Sequence, residues 1–245
     1  VIKIFMEQKN RGIVCTFGPS SLNYAKEFKD NGMSIARING AFGLPYYGFI
    51  KELKELNITT LLDLPGERSK IRHLYTKDSD LIDFARKNEL NYVSFSYVKN
   101  PEQIKEIKKL VQPYGIRVVG KVETKEAVEN QENLEAIINE SDMIMIDRGD
   151  LSKSIGFEKV PRYQILITQL CNKLDKEVII ATGNMMSKID SEQESCGDVS
   201  NVYFALLNGA NYIMLSEETA IGKYPIETVK TVNKIINEFL NSTIL

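Results

Sequence analysis

Eight short apolar runs recur along the chain, and they constrain its fold more than any other feature. Each run has five to seven residues, is rich in β-branched side chains and shows little polar alternation. Such runs are typical of parallel strands that are buried on both faces of a sheet. We therefore predict strands at residues 12–17, 34–38, 59–64, 92–96, 117–123, 143–147, 177–182 and 212–216.

Amphipathic segments with a helical period separate these runs. In the last segment Pro225 suits the first helical position. The residues predicted to share its buried side are Ile226, Val229, Val232, Ile235, Ile236 and Phe239. A second segment runs from Pro161 to Leu174. Its predicted inner face consists of Ile165, Leu166, Leu170 and Leu174.

The alternation of eight strands with helices over 245 residues matches the usual size of a (β/α)8 barrel. We predict an α/β fold with a single (β/α)8 barrel domain over residues 1–245. A doubly wound open sheet is the main alternative, but the first strand is followed by CTFGPSS and not by the GxGxxG turn of that fold.

Charge and composition exclude several classes of partner. The formal net charge is -2, so no broad basic surface for nucleic acid is expected. No apolar run is long enough to span a membrane, and the N-terminal segment is too polar for a signal peptide. Three widely spaced cysteines favour reduced thiols. We therefore expect a cytoplasmic protein, and homo-oligomerisation is left open.

Charged and polar residues gather at the C-terminal ends of the predicted strands, where active sites of such barrels lie. They are Arg37, Asn39, Asp63, Lys121, Glu123, Asp147, Arg148, Asp150 and Thr182. Because strand residues two apart point the same way, Lys121 and Glu123 should share the barrel interior. Glu123 and Asp150 follow adjacent strands and are predicted to hold a hard divalent cation, Mg2+ or Mn2+.

Each of these residues also has a purely structural interpretation. Asp147 or Asp150 alone is more often a helix cap than a functional residue. Lys121 could extend to solvent or pair with Glu123, and Arg37 could brace a neighbouring acid. The convergence of all of them on one end of one barrel favours function.

The motifs IVCTFGPSS, GMSIARINGAFG, GKVET, IMIDRGDLS, VIIAT and DVSNVYFALLNGANYIMLSEETAIGKYPIETV resemble, in this order, the barrel domain of pyruvate kinases. The resemblance implies that Glu123 and Asp150 hold magnesium and that Lys121 stabilises the transferring phosphoryl group and the enolate. It further implies that Arg37 contacts the phosphate. The substrate carboxylate is then expected at the backbone N–H groups of Gly149 and Asp150 and at the Thr182 hydroxyl.

The chain also departs from that family. The segment after the third strand leaves no room for the family's lid domain, and the C-terminal regulatory domain is expected to be missing. Ala41 replaces a serine that helps to bind potassium, and Phe42 replaces a histidine near the nucleotide. Asp147 stands at a position that is usually small, Met186 replaces an acid, and Glu217 replaces a glycine. A monovalent-ion site, or a lysine in its place, would involve Asn39, Asp63 and Lys70, so we expect no need for potassium.

These observations favour an enzyme that binds phosphoenolpyruvate, pyruvate or a related 2-oxo acid and stabilises an enolate. Phosphoryl transfer to a nucleotide is doubtful without a lid. A metal-dependent lyase acting on a larger 2-oxo acid remains an alternative, as does a non-catalytic protein that binds a metabolite or a partner. Retention of Lys121, Glu123 and Asp150 together argues against the non-catalytic alternative.

Overall fold

Eight parallel strands form a closed barrel in which each strand pairs with its neighbours in chain order and β8 pairs with β1. This architecture is seen in a computed structural model that describes residues 10–42, 47–66 and 78–242. The strands are β1 (Gly12–Phe17), β2 (Met33–Asn39), β3 (Thr59–Leu64), β4 (Tyr92–Phe95), β5 (Arg117–Val122), β6 (Met143–Asp147), β7 (Glu177–Ala181) and β8 (Tyr212–Leu215). The predicted (β/α)8 barrel is confirmed, and the open-sheet alternative is wrong because β8 closes on β1.

Helices connect the strands and surround the barrel. They are α1 (Ala25–Asp30), α2 (Tyr47–Glu55), α3 (Asp78–Lys87), α4 (Pro101–Val111), α5 (Lys125–Val128), α6 (Gln131–Glu140), α7 (Arg148–Ile155), α8 (Val160–Lys173), α9 (Cys196–Leu207), α10 (Glu217–Ala220) and α11 (Pro225–Asn241). Single 3-10 turns occur at Gly40–Phe42, Gln112–Tyr114, Phe157–Lys159 and Met186–Ile189. No helix in these described ranges is both long and apolar enough to cross a membrane.

The two helical faces predicted from the sequence have different outcomes. In α11 the residues from Val229 to Phe239 on the predicted face are buried, as expected, and Ile226 is half-buried and packs against the same core. In α8 Leu170 is buried, and Leu166 and Leu174 are half-buried and pack against the core cluster, whereas Ile165 is half-buried and does not belong to that cluster. The fully buried stripe of α8 instead includes Gln164, Ile167, Thr168 and Cys171. Two of these are polar, so a rule based on apolar residues alone missed the stripe.

The barrel interior changes from apolar to charged along the strands. An apolar cluster fills its lower part, formed by Val14, Ile35, Leu61, Tyr92, Val119, Met143, Met145, Ile179, Ala181 and Met214. On five of these strands, the residue two positions after a member of this cluster points in the same inward direction. These five residues are Arg37, Asp63, Ser94, Lys121 and Asp147. All five are buried, so the parallel strands deliver a polar layer to the C-terminal end of the barrel.

Candidate active site

Lys121 lies at the centre of the polar layer with no exposed surface. Its Nζ lies 3.2 Å from Glu123 Oε2, 3.4 Å from Asp147 Oδ2 and 3.5 Å from Asp63 Oδ2. Burial alone would lower the pKa of Lys121, but the attraction of these three carboxylates outweighs it and raises the pKa above its usual value. The side chain is therefore a fixed cation and does not extend to solvent.

Glu123, Asp147 and Asp150 bring one carboxylate oxygen each to within 4.8 Å of one another. Burial raises the pKa of Glu123 to about 7, and the charges of Asp147 and Asp63 add to this rise while Lys121 opposes it. The buried Glu123 Oε2 has no hydrogen-bond donor among the described residues, although it faces the Lys121 ammonium. The three carboxylates repel one another, and Glu123 Oε2 accepts no hydrogen bond from the described residues. Oxygen ligands of this kind fit a divalent cation.

Asp147 occupies the N-cap position of α7, yet its side chain makes no capping hydrogen bond in the described structure. Its carboxylate turns into the barrel, where Oδ1 accepts a hydrogen bond from Thr182 Oγ1 at 2.8 Å. Burial would raise the pKa of Asp147, but Lys121, the Thr182 hydroxyl and Arg37 together lower it. The capping interpretation is therefore wrong for Asp147, which becomes a third acid beside the two predicted from the sequence.

Asp150 lies in the first turn of α7 and is half-buried. Its two oxygens accept hydrogen bonds from different elements, with Lys153 Nζ at 2.8 Å from Oδ1 and the Tyr97 hydroxyl at 3.3 Å from Oδ2. The carboxylate is thus held from both sides at the rim of the barrel. Gly149 precedes it, and the two backbone N–H groups belong to the first turn, where such groups lack helical acceptors.

Thr182, just after β7, has a φ of +67°, which is rare for a β-branched residue. Arg148 holds this turn, because its Nε and Nη2 both donate to the Thr182 carbonyl oxygen, at 2.9 and 2.6 Å. A Cβ at Gly149 would lie only 2.9 Å from Thr182 Cγ2, so a larger residue there would collide with the turn. These contacts place the Thr182 hydroxyl next to Asp147.

The Arg148 side chain points away from the carboxylates with which it was grouped in the sequence. Besides Thr182 it donates to Asn201 Oδ1 at 2.7 Å, Asn184 Oδ1 at 2.8 Å and Gln164 Oε1 at 3.3 Å. Burial lowers its pKa to about 10, which leaves the guanidinium charged near neutral pH. Its place in the structure is therefore behind the site, as a support for the turn after β7.

Arg37 in β2 and Asp63 in β3 form a buried pair next to Lys121. Arg37 Nε donates to Asp63 Oδ2 at 3.0 Å, Nη2 contacts the same oxygen, and Nη1 donates to Thr16 Oγ1 at 2.9 Å. Burial would raise the pKa of Asp63, but Lys121 and Arg37 hold it well below its usual range. Arg37 does brace a neighbouring acid, and it also lines the cavity described below.

The residues predicted for a monovalent-ion site are only partly described. Asn39 Oδ1 accepts a hydrogen bond from the Ala41 backbone N–H at 3.1 Å. The Asp63 carboxylate already contacts Arg37 and Lys121, and its Oδ1 accepts a hydrogen bond from the Ser94 hydroxyl at 2.6 Å. Lys70 lies outside the described residues.

The sequence predictions missed contributors at the end of β4. Tyr97 has a φ of +59°, and its backbone N–H donates to Glu123 Oε1 at 2.7 Å. Ser96 Oγ accepts a hydrogen bond from Lys121 Nζ at 3.2 Å. The signal in the sequence was two buried serines, Ser94 in β4 and Ser96 directly after it, in an otherwise apolar run.

An open cavity of about 660 Å³ adjoins the charged layer. Arg37, Asp147, Gly149, Asp150 and Thr182 all line it. A second cavity of about 630 Å³ lies on the β4 side and includes Glu123 in its lining. Asp150 borders both cavities, so the carboxylate cluster is accessible from two directions.

The fold and the site define a (β/α)8 barrel with a cluster of three carboxylates beside a buried lysine at the C-terminal ends of its strands. The sequence model of the family "Pyruvate kinase, barrel domain" matches residues 47–229, which is more than half of the chain. The chain therefore belongs to the pyruvate kinase family.

Several pyruvate kinases are similar to the chain over most of its length. The protein of Borreliella burgdorferi is 34% identical over 191 residues, which cover 77% of this chain and 38% of that protein. The protein of Methanocaldococcus jannaschii is 34% identical over 71% of this chain and 39% of its own length. The protein of Staphylococcus aureus is 36% identical over 71% and 30%, respectively. The chain thus matches less than half the length of each of these relatives.

Proposed function

We propose that the chain is a metal-dependent enzyme that binds phosphoenolpyruvate, pyruvate or a related 2-oxo acid and stabilises its enolate. The observation that carries this proposal is the cluster of Glu123, Asp147 and Asp150, the first two of which contact the fixed Lys121 cation, at the barrel end where such enzymes act. Family membership supports the substrate class.

Glu123, Asp150 and the additional Asp147 would hold Mg2+ or Mn2+. A divalent cation bound there supplies positive charge opposite a substrate oxygen that becomes anionic. The backbone N–H groups of Gly149 and Asp150 would bind the substrate carboxylate, because they lie at a helix N-terminus and line the cavity. The Thr182 hydroxyl, held beside Asp147, would orient the substrate.

Lys121 would contribute preorganised positive charge to the enolate. Its ammonium is already desolvated and fixed by three carboxylates, so it needs no reorganisation as negative charge develops. Arg37 would add positive charge at the same end of the cavity, held in place by Asp63 and Thr16. Fixed charges of this kind are usually the largest single contribution to catalysis.

Phosphoryl transfer to a nucleotide is less well supported than enolate chemistry. The crossover between Leu64 and Asp78 has only thirteen residues, 65–77, whereas the family that the sequence resembles carries a lid domain at this place. Closure over the reacting groups is a common way to keep water away from a transferring group. An enolate is shared by the kinase reaction and by a 2-oxo acid lyase, so the proposal does not depend on the nucleotide.

Exchange of the methyl protons of pyruvate in heavy water tests the proposal. Proton NMR should show magnesium-dependent exchange, and Lys121→Met should slow it by about 100- to 1000-fold, the usual effect of removing one preorganised charge partner. Lys26→Met, which changes an exposed surface lysine, is the matched control. Unchanged exchange in Lys121→Met would refute the role proposed for Lys121. Rapid ATP formation in a parallel assay with phosphoenolpyruvate and ADP would show that the protein does transfer a phosphoryl group to the nucleotide.

A further inference from the structure

The lining of the cavity of about 660 Å³ changes from mainly charged and polar residues at β6 and β7 to mainly apolar residues at or after β8, β1 and β2, and these two parts are called its charged and apolar ends. The charged end consists of the proposed metal and substrate residues. The other end is apolar and is lined by Phe17, Pro19, Leu22, Phe42, Phe49 and Ile221. Cavities of about 300–1,000 Å³ hold ligands much larger than a three-carbon acid. Pyruvate at the charged end would therefore leave the apolar end filled with water.

Two exposed apolar side chains mark the rim of this end. Phe42 is 77% exposed and Ile221 is 57% exposed, and both line the same cavity. Beneath the rim, the rings of Phe17 and Phe49 pack with their centroids 4.8 Å apart. Single exposed apolar residues need no explanation, but several that border one cavity next to a reactive site indicate an apolar ligand group.

The charges in the site favour a ligand with one negative charge. Four carboxylates, those of Asp63, Glu123, Asp147 and Asp150, face three cations, Arg37, Lys121 and Lys153. When all are ionised the site carries one net negative charge, and a divalent cation turns this into one net positive charge. A single carboxylate would then neutralise the site, whereas an added phosphate group would leave it negative.

The apolar end also offers little for a phosphate to bind. The cations among the described lining residues are Arg37 and Lys153, and each is paired with a carboxylate. Glu217, also on the lining, adds a further negative charge. This end of the cavity therefore suits a hydrocarbon group better than a polyphosphate chain.

We propose that the ligand of this cavity is an unphosphorylated 2-oxo acid with an apolar alkyl or aryl side chain. This inference rests on the proposed function, because the carboxylate and keto group occupy the charged end. The side chain then extends along the apolar wall toward Phe42 and Ile221. Burial of each additional methylene group should strengthen binding by about two- to fourfold.

The test is a binding series on the manganese-loaded protein, measured by calorimetric competition with oxalate. The probes are pyruvate, 2-oxobutanoate, 2-oxopentanoate, 2-oxohexanoate and phenylpyruvate, with phosphoenolpyruvate and ADP measured in parallel. We expect 2-oxohexanoate to bind at least about tenfold more tightly than pyruvate, from three methylene groups. Phosphoenolpyruvate should bind more weakly than phenylpyruvate.

A matched pair of variants locates the apolar contact. Phe42→Ser should lower the ratio of phenylpyruvate affinity to oxalate affinity by about three- to tenfold, because it removes one ring from the wall. Phe157→Ser is the control, since Phe157 is 79% exposed, much like Phe42, and is not part of the cavity lining. It should leave the ratio unchanged.

The outcomes separate this inference from the proposed function. If oxalate binds but affinity does not rise along the series, the apolar-ligand inference is wrong and the proposed function stands. Tighter binding of phosphoenolpyruvate or ADP than of phenylpyruvate would also overturn the inference, in favour of a phosphorylated occupant. If oxalate does not bind to the manganese-loaded protein at all, both proposals fail.

Discussion

Arg148→Lys should destabilise the protein strongly although it conserves the charge. The guanidinium makes four hydrogen bonds of 2.9 Å or less, two to the Thr182 carbonyl oxygen and one each to the amide oxygens of Asn184 and Asn201. These three acceptors surround a planar group, and a single ammonium nitrogen would keep one of them. Two acceptors would then lose their charged donor, at about 1.5–3 kcal/mol each, which should lower the free energy of unfolding by about 3–6 kcal/mol.

The same substitution should also disturb the site. Thr182 is held at a φ of +67°, a conformation that costs on the order of 1–3 kcal/mol for such a residue. Without the guanidinium the turn can relax, and the Thr182 hydroxyl should leave Asp147. We therefore expect oxalate binding to the manganese-loaded protein to weaken together with stability.

Urea unfolding followed by circular dichroism measures the first effect, and titration calorimetry measures the second. Arg162→Lys, on the exposed side of α8, is the control and should change the free energy of unfolding by no more than about 0.5 kcal/mol. If Arg148→Lys matches Arg162→Lys within about 1 kcal/mol, the hydrogen bonds do not support the turn and the argument fails.

Three further results are expected. Glu123→Gln combined with Asp150→Asn should weaken manganese binding by more than about tenfold in titration calorimetry, and parent-like affinity would show that other groups are the ligands. Activity should not require potassium, because Asp63 is already neutralised by protein cations; a several-fold faster rate in potassium than in tetramethylammonium would contradict this. Gly149→Ala should lower the free energy of unfolding by about 1–3 kcal/mol, because its Cβ would lie 2.9 Å from Thr182 Cγ2; an unchanged urea midpoint would mean that the turn has room to move.

The strands were predictable from the sequence because barrel strands are buried on both faces. Continuous apolar runs therefore mark them, and the observed ends differ from the predicted ones by one residue at most. The rule that residues two apart share a face also placed Lys121 in β5 together with Glu123, which directly follows this strand, as their 3.2 Å contact shows. Within a strand, side-chain direction follows from position alone.

The rule fails where a helix or a turn with positive φ begins at the end of a strand. Arg148 turns behind the site because α7 begins immediately after β6, so helical geometry sets its direction. Tyr97 and Thr182 have positive φ values that their residue types do not predict. The sequence could therefore identify which residues reach this end of the barrel, but it could not determine which of them face one another.

Tyr97 and Thr182, two of the five described non-glycine residues with positive φ, explain how two of the carboxylates are oriented. Tyr97 follows β4 and donates its backbone N–H to Glu123 after β5, while Thr182 follows β7 and donates its hydroxyl to Asp147 on β6. Each acid therefore accepts a hydrogen bond from a residue that follows the neighbouring strand. The conformational cost at each turn, on the order of 1–3 kcal/mol, is comparable to the gain from one hydrogen bond to a charged group, about 1.5–3 kcal/mol. One oxygen of each acid is fixed in this way, and the other oxygen, Glu123 Oε2 or Asp147 Oδ2, faces Lys121. The acids are therefore oriented before any ligand binds, so the divalent cation that we propose between them would require little rearrangement of these side chains.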